Sequence, residues 1–307
     1  VETFLINLIR GGGLDGLTGI PPRADGIRRP LLPFAHTELT AYAAEKGLRW
    51  REDASNQEEK YLRNRLRHRV IPELKKADSR FMQNFQKTLG FLQGSRALVA
   101  QHIDALRKTL FIPEGPLYRI PMDPLSGLHP RQPHLYELFH PYGFTDWEAL
   151  ERLLTASPGK MLVSPSHELL RDRTELLLRA RVERKSGTYT IDLEDPAPQG
   201  PLGLRLELVE KMGQTGPRVL YIDRETLMHG LQLRKWRKGD YFYPLGMQGR
   251  QKVSKYFKDH KLSRFEKEAQ WLLCSGDEIV WIAGHRADDR FRVREGTKQI
   301  LKITCTT

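Results

Sequence analysis

An apolar stripe between residues 81 and 110 constrains the fold of this chain most strongly. Its members recur with a period close to 3.6 residues, the spacing that places side chains on one face of an α-helix. They are Phe81, Phe85, Leu89, Leu92, Val99, Ile103, Leu106 and Leu110. The stripe predicts one long amphipathic helix that leaves a first domain, and its apolar face is expected to be core rather than a binding surface.

The residues before this helix predict the closing part of an α/β domain. A helical pattern opens the chain at Phe4, and residues 28–32 resemble the end of a short strand. Thr37 is placed to cap a helix that Gly47 ends, because glycine readily adopts the left-handed conformation at a helix C-terminus. The chain starts at Val1 and not at Met. We therefore expect residues 1–75 to begin inside a domain whose earlier strands are not in the sequence.

Residues 50–74, WREDASNQEEKYLRNRLRHRVIPEL, predict a polar turn followed by an arginine-rich helix. Ser55 and Glu58 fit a capping box, in which the serine side chain accepts from a free amide and the glutamate reaches back. The helix is therefore expected to start near Asn56. Pro72 should end or bend it, because proline lacks the amide proton that an α-helix needs.

Arg63 and Arg67 lie one helical turn apart in this segment, with Asn64 beside them. A guanidinium group presents a planar fork of donors that suits phosphate oxygens and base edges. A solvated basic helix face is equally typical of such a pattern. Charge alone leaves both interpretations open.

The rest of the chain predicts two further domains. Residues 76–185 are expected to be mainly helical, with a helix capped at residues 145–148 that runs through Thr155, and a small meander at 161–181. Residues 186–307 predict a compact β-rich domain with one helix, at 253–259. Its strands are expected at 188–193, 203–209, 218–222, 231–236, 269–274, 278–284 and 298–304.

The charge balance indicates a polyanionic partner. The 307 residues carry a formal net charge of +12, and clustered Lys and Arg side chains bind phosphates with release of counterions. Eleven Lys or Arg residues lie between 234 and 267, interleaved with Trp236, Tyr241, Phe242, Tyr243, Tyr256 and Phe257. Such a mixture suits RNA backbone neutralisation and base stacking, and it also fits an aromatic core beneath a basic surface. Nucleic acid is the leading candidate, ahead of an anionic membrane.

Several classes of protein are disfavoured. Cys274 and Cys305 are the only cysteines and form no Cys-x-x-Cys pair, which argues against a disulfide framework and suits a reducing cytoplasm. No apolar run approaches the length of a membrane span, and the first residues are no signal peptide. The ten His are scattered, so no metal site is predicted. No His-Glu-x-x-His or Gly-x-Ser-x-Gly motif occurs.

Five glycines lie within residues 11–19, at Gly11, Gly12, Gly13, Gly16 and Gly19. Glycine allows positive φ angles and a close approach of backbone to a ligand. The spacing matches neither a Gly-x-Gly-x-x-Gly fingerprint nor a Walker loop. A flexible turn and a ligand-bordering loop are both consistent with it.

Three stretches together resemble the bacterial tRNA(Ile)-lysidine synthetase family. Residues 2–20, ETFLINLIRGGGLDGLTGI, resemble that family's Glu-Thr and glycine-rich segment. Residues 52–56, EDASN, with 61–67, YLRNRLR, and 70–72, VIP, resemble its most specific signature. Residues 236–247 and 252–257 resemble its C-terminal domain. The resemblance is weakest over residues 110–230.

The resemblance implies an ATP-dependent ligase. In the family, ATP and Mg²⁺ serve to adenylate the wobble cytidine (position 34) of a tRNA(Ile) with a CAU anticodon, and free L-lysine then displaces AMP to form lysidine. It further implies that residues 1–75 are the C-terminal part of a Rossmann-like ATP-pyrophosphatase domain, 76–185 a helical linker and substrate-binding domain, and 186–307 a tRNA-binding domain. A cytoplasmic protein is expected. The oligomeric state stays open, and a homodimer is allowed.

The resemblance also implies roles for individual residues. Glu2 and Arg10 are the candidate catalytic residues. Glu2 would hold the lysine ammonium, although an ordinary surface glutamate is the alternative. Arg10 and the loop at Gly11, Gly13, Gly16 and Gly19 would border the nucleotide and the extruded cytidine. The residues Asp53, Asn56, Arg63, Asn64 and Arg67 would recognise the anticodon loop, although Asp53 and Asn64 could instead join the turn to the helix. The cluster that includes Arg237, Lys252 and Lys255 would grip the tRNA acceptor stem or body.

One departure from the family pattern matters. The family's ATP-binding Ser-Gly-Gly-x-Asp-Ser loop has no copy among the 307 residues. We expect these residues alone to form no lysidine. A non-catalytic tRNA-binding remnant is the main alternative, and a tRNA thiolation enzyme, which would need reactive cysteines, is a weaker one.

Overall fold

A computed structural model describes residues 1–24, 26–50, 61–182, 187–195 and 197–306. The chain divides into two compact units, Val1–Thr109 and Leu110–Thr307. The expected start of the arginine-rich helix near Asn56, and the predicted site residues Asp53 and Asn56, lie outside the described residues.

The first unit is mostly helical. It contains, in chain order, α1 (Glu2–Ile9), α2 (Leu14–Leu17), β1 (Arg23–Ala24), β2 (Ile27–Arg28), α3 (His36–Glu45), α4 (Leu62–Arg65), α5 (Ile71–Ala77) and α6 (Phe81–Leu110). Helix α6 confirms the long helix predicted from the apolar stripe. Of the eight stripe side chains, Ile103 and Leu110 are buried and the other six are half-buried. Phe4 of α1 contacts Phe85 of α6 edge to face, with ring centroids 5.1 Å apart, so the opening helix packs on the stripe.

Two local predictions in this unit need correction. The N-cap of α3 is Ala35 and not Thr37; the Ala35 amide donates to Glu38 Oε2 at 2.6 Å, so the side chain of the third helical residue satisfies it. The expected strand at 28–32 stops at Arg28. Pro30 has no amide to donate to a ladder, and residues 30–33 form a turn. Gly47 does end α3, with φ +61°.

Pro72 does not end the arginine-rich helix. A π-helical turn, Leu66–Val70, follows α4, and α5 continues from Ile71 with the proline in its first turn. Wider π turns relieve the clash and the lost hydrogen bond that proline imposes on a regular helix. The segment is therefore a continuous but distorted helix, and Arg67 lies on the distorted turn.

The second unit begins with a five-stranded antiparallel sheet, as described for these residues, in the order β3-β4-β7-β6-β5. Its strands are β3 (Ile112–Glu114), β4 (Leu117–Pro121), β5 (Met161–Val163), β6 (His167–Asp172) and β7 (Glu175–Ala180). Helices α7 (Met122–Ser126), α8 (Arg131–Phe139) and α9 (Trp147–Thr155) accompany it. The region is helical as expected, but it also holds a sheet, of which only the 161–181 meander was predicted. Asp146 caps α9 through the Ala149 amide.

The β-rich part that follows contains the seven predicted strands, but the expectation of one helix is wrong: a second helix lies at Arg264–Ala269, and a short hairpin at 241–252 was not predicted either. Its strands are β8 (Tyr189–Ile191), β9 (Leu204–Val209), β10 (Val219–Asp223), β11 (Leu231–Lys235), β12 (Tyr241–Phe242), β13 (Gln251–Lys252), β14 (Trp271–Ser275), β15 (Glu278–Ile282) and β16 (Ile300–Cys305). Its helices are α10 (Val253–Asp259) and α11 (Arg264–Ala269). Alternating apolar residues of these strands build one buried core that includes Leu204, Leu233, Val280 and Ile303.

Two sheets, as far as the described residues show, frame this core. One has the order β15-β14-β11-β8 and the other β10-β16-β9, and the pairings are antiparallel. Strands β12 and β13 form a separate hairpin. The hairpin runs directly into α10, which begins at the residue after β13.

An arginine joins the five-stranded sheet to α11. Arg179 on β7 donates to Glu168 Oε2 at 2.9 and 2.7 Å and to Glu268 Oε2 at 2.8 Å. Its guanidinium lies 3.7 Å from the centroid of the Phe265 ring, and Phe265 is buried with Leu170 and Leu177. The two parts of the second unit therefore share a mixed apolar and ionic contact. No described helix is long and apolar enough to cross a membrane.

Candidate active-site cleft and nucleic-acid interface

Glu2 and Arg67 lie 65 positions apart in the sequence and form a two-pronged ion pair in the structure. Arg67 Nε donates to Glu2 Oε1 at 2.6 Å, and Nη2 donates to Oε2 at 2.9 Å. Arg63 Nε lies 3.9 Å from Oε2. Three residues predicted separately from two motifs are therefore neighbours, because α1 packs beside the arginine-rich helix.

The hydrogen bonds that Arg67 donates to the Glu2 carboxylate raise the pKa of the Arg67 guanidinium above its already high value, so this side chain stays charged. The pair is partly exposed, with 42% of the Arg67 side chain and 26% of the Glu2 side chain accessible. Exposed ion pairs contribute about 0–1 kcal/mol to folding stability. The contact therefore matters more for the direction of the Glu2 carboxylate than for the stability of the unit.

A cleft of about 620 Å³ opens beside this ion pair. Its basic and polar groups include Lys75, His36 and Thr37, and Arg67 and Glu2 themselves face it. The other lining residues are Val1, Thr3, Ile20, Ala35, Ile71, Pro72 and Met82. A cleft of this size accepts a small polar ligand, and the carboxylate is its acidic group among the described lining residues.

The glycine loop, residues 11–19, follows the cleft residue Glu2 closely in the sequence, but it packs against α1 and not into the cleft. Asn7 Nδ2 donates to the Gly16 carbonyl at 2.7 Å, and the Gly12 amide donates to the Asn7 carbonyl at 2.7 Å. A Cβ at Gly12 would lie 2.9 Å from that carbonyl oxygen. The loop therefore requires glycine at position 12 for close packing on α1.

The four predicted loop glycines have different positions. Gly11 and Gly19 have positive φ angles of +72° and +84°. Gly13 is the N-cap of α2, and Gly16 lies within α2. Among the residues that the structure describes, the cleft wall contains Ile20 but none of these four. Their predicted contact with nucleotide or cytidine stays a prediction.

Helix α6 holds the glycine loop in place. Gln93 Nε2 donates to the Thr18 carbonyl at 3.0 Å, and Arg96 forms an ion pair with Asp15. The sequence analysis did not single out Asn7, Asp15, Gln93 or Arg96. No spacing rule links residues 75 or more positions apart, so only the packing of α6 shows these contacts.

Two predicted residues of the first unit stand apart from the ion pair. Arg10 is exposed at the end of α1 and does not line the cleft. Asn64 is buried, with 6% of its surface accessible. Burial supports the structural alternative for Asn64, in which its amide joins neighbouring backbone, over a direct contact with RNA.

The basic segment 234–267 separates into structural and free charges. Arg234 donates to both oxygens of Asp240, at 2.8 and 3.0 Å, and this hydrogen bond raises the pKa of Arg234. Lys235 Nζ donates to the Ala269 carbonyl at 2.5 Å and lies 3.9 Å from the Trp271 ring centroid. Burial lowers the pKa of Lys235 to about 8. Both side chains therefore make structural contacts within the domain.

The other basic side chains of this segment face solvent. Lys252 and the α10 residues Lys255 and Lys258 follow at three-residue steps, and neighbours at this spacing share a helix face. Val253 and Phe257 fill the opposite, buried face. No ion pair with another described residue is present for Arg237, Lys238, Arg250, Lys252, Lys255, Lys258, Lys261 or Lys267. The predicted RNA-binding residues Arg237, Lys252 and Lys255 are thus available for a polyanion.

The described residues contain no group of three or more His, Cys, Asp or Glu side chains able to hold a metal ion. Both cysteines are buried. Burial raises the pKa of the Cys274 thiol to about 11 and also raises the pKa of Cys305. A thiolate nucleophile is the reactive form of cysteine, so neither residue suits a thiolation reaction.

Three family models match the chain. A PP-loop domain matches residues 1–74, a TilS substrate binding domain matches 113–181, and a TilS substrate C-terminal domain matches 231–304. The class defined in this way is a PP-loop protein, a family that implies the use of ATP, with two additional substrate-related domains. The PP-loop match includes Glu2 and Arg67, and the C-terminal match includes Lys252 and Lys255.

Curated relatives give the particular family. A tRNA(Ile)-lysidine synthase of Parabacteroides distasonis is 36% identical over 99% of this chain and 70% of its own length. That of Bacteroides thetaiotaomicron is 33% identical over 98% of this chain and 68% of its own length. The chain belongs to the tRNA(Ile)-lysidine synthase family. A crystal structure of a TILS C-terminal domain aligns with 40% of the chain at 20% identity and a TM-score of 0.35, too low to support any argument.

The close packing at Gly12 leads to a stability prediction. Gly12→Ser should destabilise the first unit by about 1–3 kcal/mol, because the new Cβ meets the Asn7 carbonyl. Gly13→Ser is the matched control: a Cβ there meets no atom within 4 Å, and serine is a good N-cap for α2. Urea unfolding followed by circular dichroism measures both. Equal effects of the two substitutions would contradict the packing described for the loop.

The burial of Cys274 leads to a chemical prediction. At pH 8 the folded chain should leave Cys274 unmodified by iodoacetamide, because the thiol is inaccessible and its pKa is about 11. The same thiol should react in urea, where its pKa returns to the ordinary range. Peptide mass spectrometry reads out the result. Rapid alkylation of Cys274 in the folded chain would reopen the thiolation alternative.

Proposed function

We propose that this chain serves the ATP-dependent joining of free lysine to the wobble cytidine of tRNA(Ile), through an adenylated cytidine. The observation that carries the proposal is the Glu2–Arg67 pair at the cleft of a chain that belongs to the tRNA(Ile)-lysidine synthase family. The pair supplies a fixed carboxylate beside basic groups, as binding of a cationic amino acid next to RNA phosphates requires.

In this proposal Glu2 binds the lysine ammonium. Arg67 donates to both carboxylate oxygens and sets their direction, so the lysine amine can approach a carboxylate that is already oriented. Carboxylates bind ammonium groups by charge-assisted hydrogen bonds. The lysine ε-ammonium must release a proton to solvent before its nitrogen bonds to C2 of the adenylated cytidine, where the C2–O bond breaks and AMP leaves; Glu2 would hold the amine near that carbon.

Arg63 is the proposed RNA contact of this site. Its side chain is 57% exposed, and its nearest ion-pair distance, 3.9 Å, is at the outer limit for such a contact. It therefore keeps donors for the anticodon loop, where a guanidinium can bind phosphate or a base edge in two-pronged fashion. Arg67, in contrast, donates to Glu2 and acts as a positioning residue.

ATP binding needs groups that offset the phosphate charge. Lys75 at the cleft fits that role, but the 307 residues hold no Ser-Gly-Gly-x-Asp-Ser loop to bind the phosphates. The described residues also contain no cluster of three His, Cys, Asp or Glu side chains that could hold Mg²⁺. In this proposal the family's ATP-binding loop, and not the cleft residues, would supply the adenylation chemistry.

The solvent-facing basic side chains of segment 234–267, which need a polyanion but no reaction, favour a second candidate function, a non-catalytic tRNA-binding protein. Both candidates predict binding of tRNA(Ile). They differ in one reaction. When ATP and a family ATP-binding segment, as a separate polypeptide, are supplied, only the ligase should transfer radiolabelled lysine to tRNA(Ile). Label incorporated only when both polypeptides are present supports the ligase, whereas tRNA binding without label under every condition supports the second function.

The free charges of the C-terminal domain predict how tRNA binding depends on salt. Replacing Arg237, Lys252 and Lys255 together by Ala should weaken tRNA binding at least about tenfold at low salt. The slope of log K against log salt should fall by about 2–3, roughly one for each phosphate that the variant no longer neutralises. Fluorescence anisotropy with labelled tRNA measures both quantities.

A control with the same charge change separates location from net charge. Arg119, Arg152 and Lys302 pair with Glu175, Glu148 and Glu207. Replacing these three by Ala should leave the salt slope close to that of the unaltered chain. If the two triple variants behave alike, the segment 234–267 is not the RNA interface.

Charge reversal at Arg63 tests the proposed anticodon contact. In a lysidine-forming enzyme that contains this chain, Arg63→Glu should abolish lysidine formation, because it repels RNA phosphate and places a second carboxylate near Glu2. Arg65→Glu is the control, since residues two positions apart point to different helix faces. Lysine incorporation gives the activity and circular dichroism checks the fold; full activity of the Arg63→Glu enzyme would refute the role.

A further inference from the structure

An exposed aromatic surface on the β12–β13 hairpin has no role in the function proposed so far. It consists of Tyr241, Tyr243, Leu245, Met247 and Arg250, named here the tyrosine patch. Alternation along β12 turns Phe242 into the core, where it is fully buried, and turns Tyr241 outward; Tyr243 follows the strand and is half-buried. Tyr241 is 43% exposed and Met247 is 58% exposed. Large apolar side chains are thus grouped on the surface of a strongly basic segment.

The backbone beneath the patch is fixed by a neighbouring segment. The Tyr243 amide donates to Asp288 Oδ2 at 2.9 Å, and Asp288 is almost fully buried. The Tyr243 carbonyl accepts from the Asp289 amide at 2.7 Å, and the Leu245 amide donates to the Ala287 carbonyl at 3.0 Å. The patch is therefore held in one arrangement before any ligand arrives, which lowers the entropic cost of binding.

Cations surround the tyrosine rings. The Arg250 guanidinium lies 5.4 Å from the Tyr241 ring centroid, and that of Arg290 lies 4.7 Å from the Tyr243 ring centroid. Lys252 is the direct cross-strand partner of Tyr241. Directly opposed residues of an antiparallel pair point to the same side of the hairpin, so the Tyr241 ring and the Lys252 amine share a face.

We propose that the tyrosine patch stacks on an unpaired nucleobase of an RNA strand whose phosphates lie along Lys252 and Lys255. This inference rests on the proposed function, in which the C-terminal domain binds tRNA. It adds that the domain recognises an unpaired base as well as phosphate charge. Aromatic rings stack on bases, and Arg side chains assist through their planar guanidinium. The free positive charges beside the patch favour RNA over an apolar protein surface as its occupant.

The ligand class follows from this combination. Paired bases inside a helix hide their faces, whereas an unpaired strand end exposes them to an aromatic ring. The patch should therefore prefer a helix with an unpaired end over the same helix with a blunt end. The sequence of that end should matter little, because every base has a face that can stack.

Two fluorescent RNA hairpins of identical stem test the proposal, one blunt and one with a short unpaired 3′ overhang. The 307-residue chain should bind the overhang hairpin about tenfold more tightly in fluorescence anisotropy. Tyr241→Ala should remove this preference and leave the affinity for the blunt hairpin unchanged. Tyr241→Phe should keep the preference, because the ring is retained. Lys255→Ala should weaken both probes together.

Tyr42→Ala is the matched control, since Tyr42 is also exposed and has Lys46 5.8 Å from its ring centroid. It should keep the preference for the overhang. Equal binding of both hairpins by the unaltered chain, or a preference that survives Tyr241→Ala, overturns the proposal. A Tyr241→Ala chain that changes its sedimentation coefficient and binds both probes normally would instead make the patch an interface between copies.

The binding data also distinguish failure of the proposed function from failure of this inference. If neither hairpin nor tRNA shows salt-dependent binding to the unaltered chain, the proposed function and this inference fall together. If tRNA and both hairpins bind with a normal salt slope but without preference for the overhang, the inference alone is wrong.

Discussion

The hydrogen-bonded ion pair between Glu2 and Arg67 is the contact on which the candidate active site depends. It connects the opening helix with the distorted turn after α4, and it turns a carboxylate toward the cleft. The π-helical turn contributes to this geometry because it changes the rotation of Arg67 relative to a regular helix. The Glu2–Arg67 ion pair orients the carboxylate and contributes little to stability, because exposed ion pairs are weak. Arg63, one turn away, is left free to contact RNA.

The second unit separates structural charges from free ones in a similar way. Arg234 is buried against Asp240, and Arg179 lies between Glu168, Glu268 and the Phe265 ring. These arginines satisfy their donors inside the protein. The lysines of α10 do not, so they form the surface that a polyanion can neutralise. The apolar core beneath, closed by Phe242 and Phe257, gives that surface a fixed shape.

Periodicity predicted most of the fold. The bounds of α6 and α10 and seven of the strands after residue 188 follow from patterns of 3.6 and 2 residues, and the structure confirms them. Strands β12 and β13 and helix α11 were not predicted, because strands of two residues and a helix of six residues are too short to show a period. The pairing of β3 with β4 could not be predicted, because Pro113 and Pro121 and short lengths hide these strands in a region of weak pattern. At the site, Glu2, Arg63 and Arg67 were each predicted, but their contact was not. It joins residues 65 positions apart, and only the packing of α1 brings them together. Likewise, the sequence did not decide whether the aromatic residues 241–243 are core or surface. In the structure Phe242 is buried and Tyr241 is exposed.

In the proposed complex the anticodon loop binds at the Glu2–Arg67 site while the C-terminal domain holds another part of the tRNA. Photocrosslinking can locate both contacts, with 4-thiouridine placed next to the wobble position in one tRNA(Ile) transcript and near the 3′ end in a second. Mass spectrometry identifies the crosslinked peptides. We expect the anticodon label to crosslink within residues 1–109 and the 3′ label within 231–304. Crosslinking of the anticodon label to the C-terminal domain, and not to the first unit, would show that this arrangement is wrong.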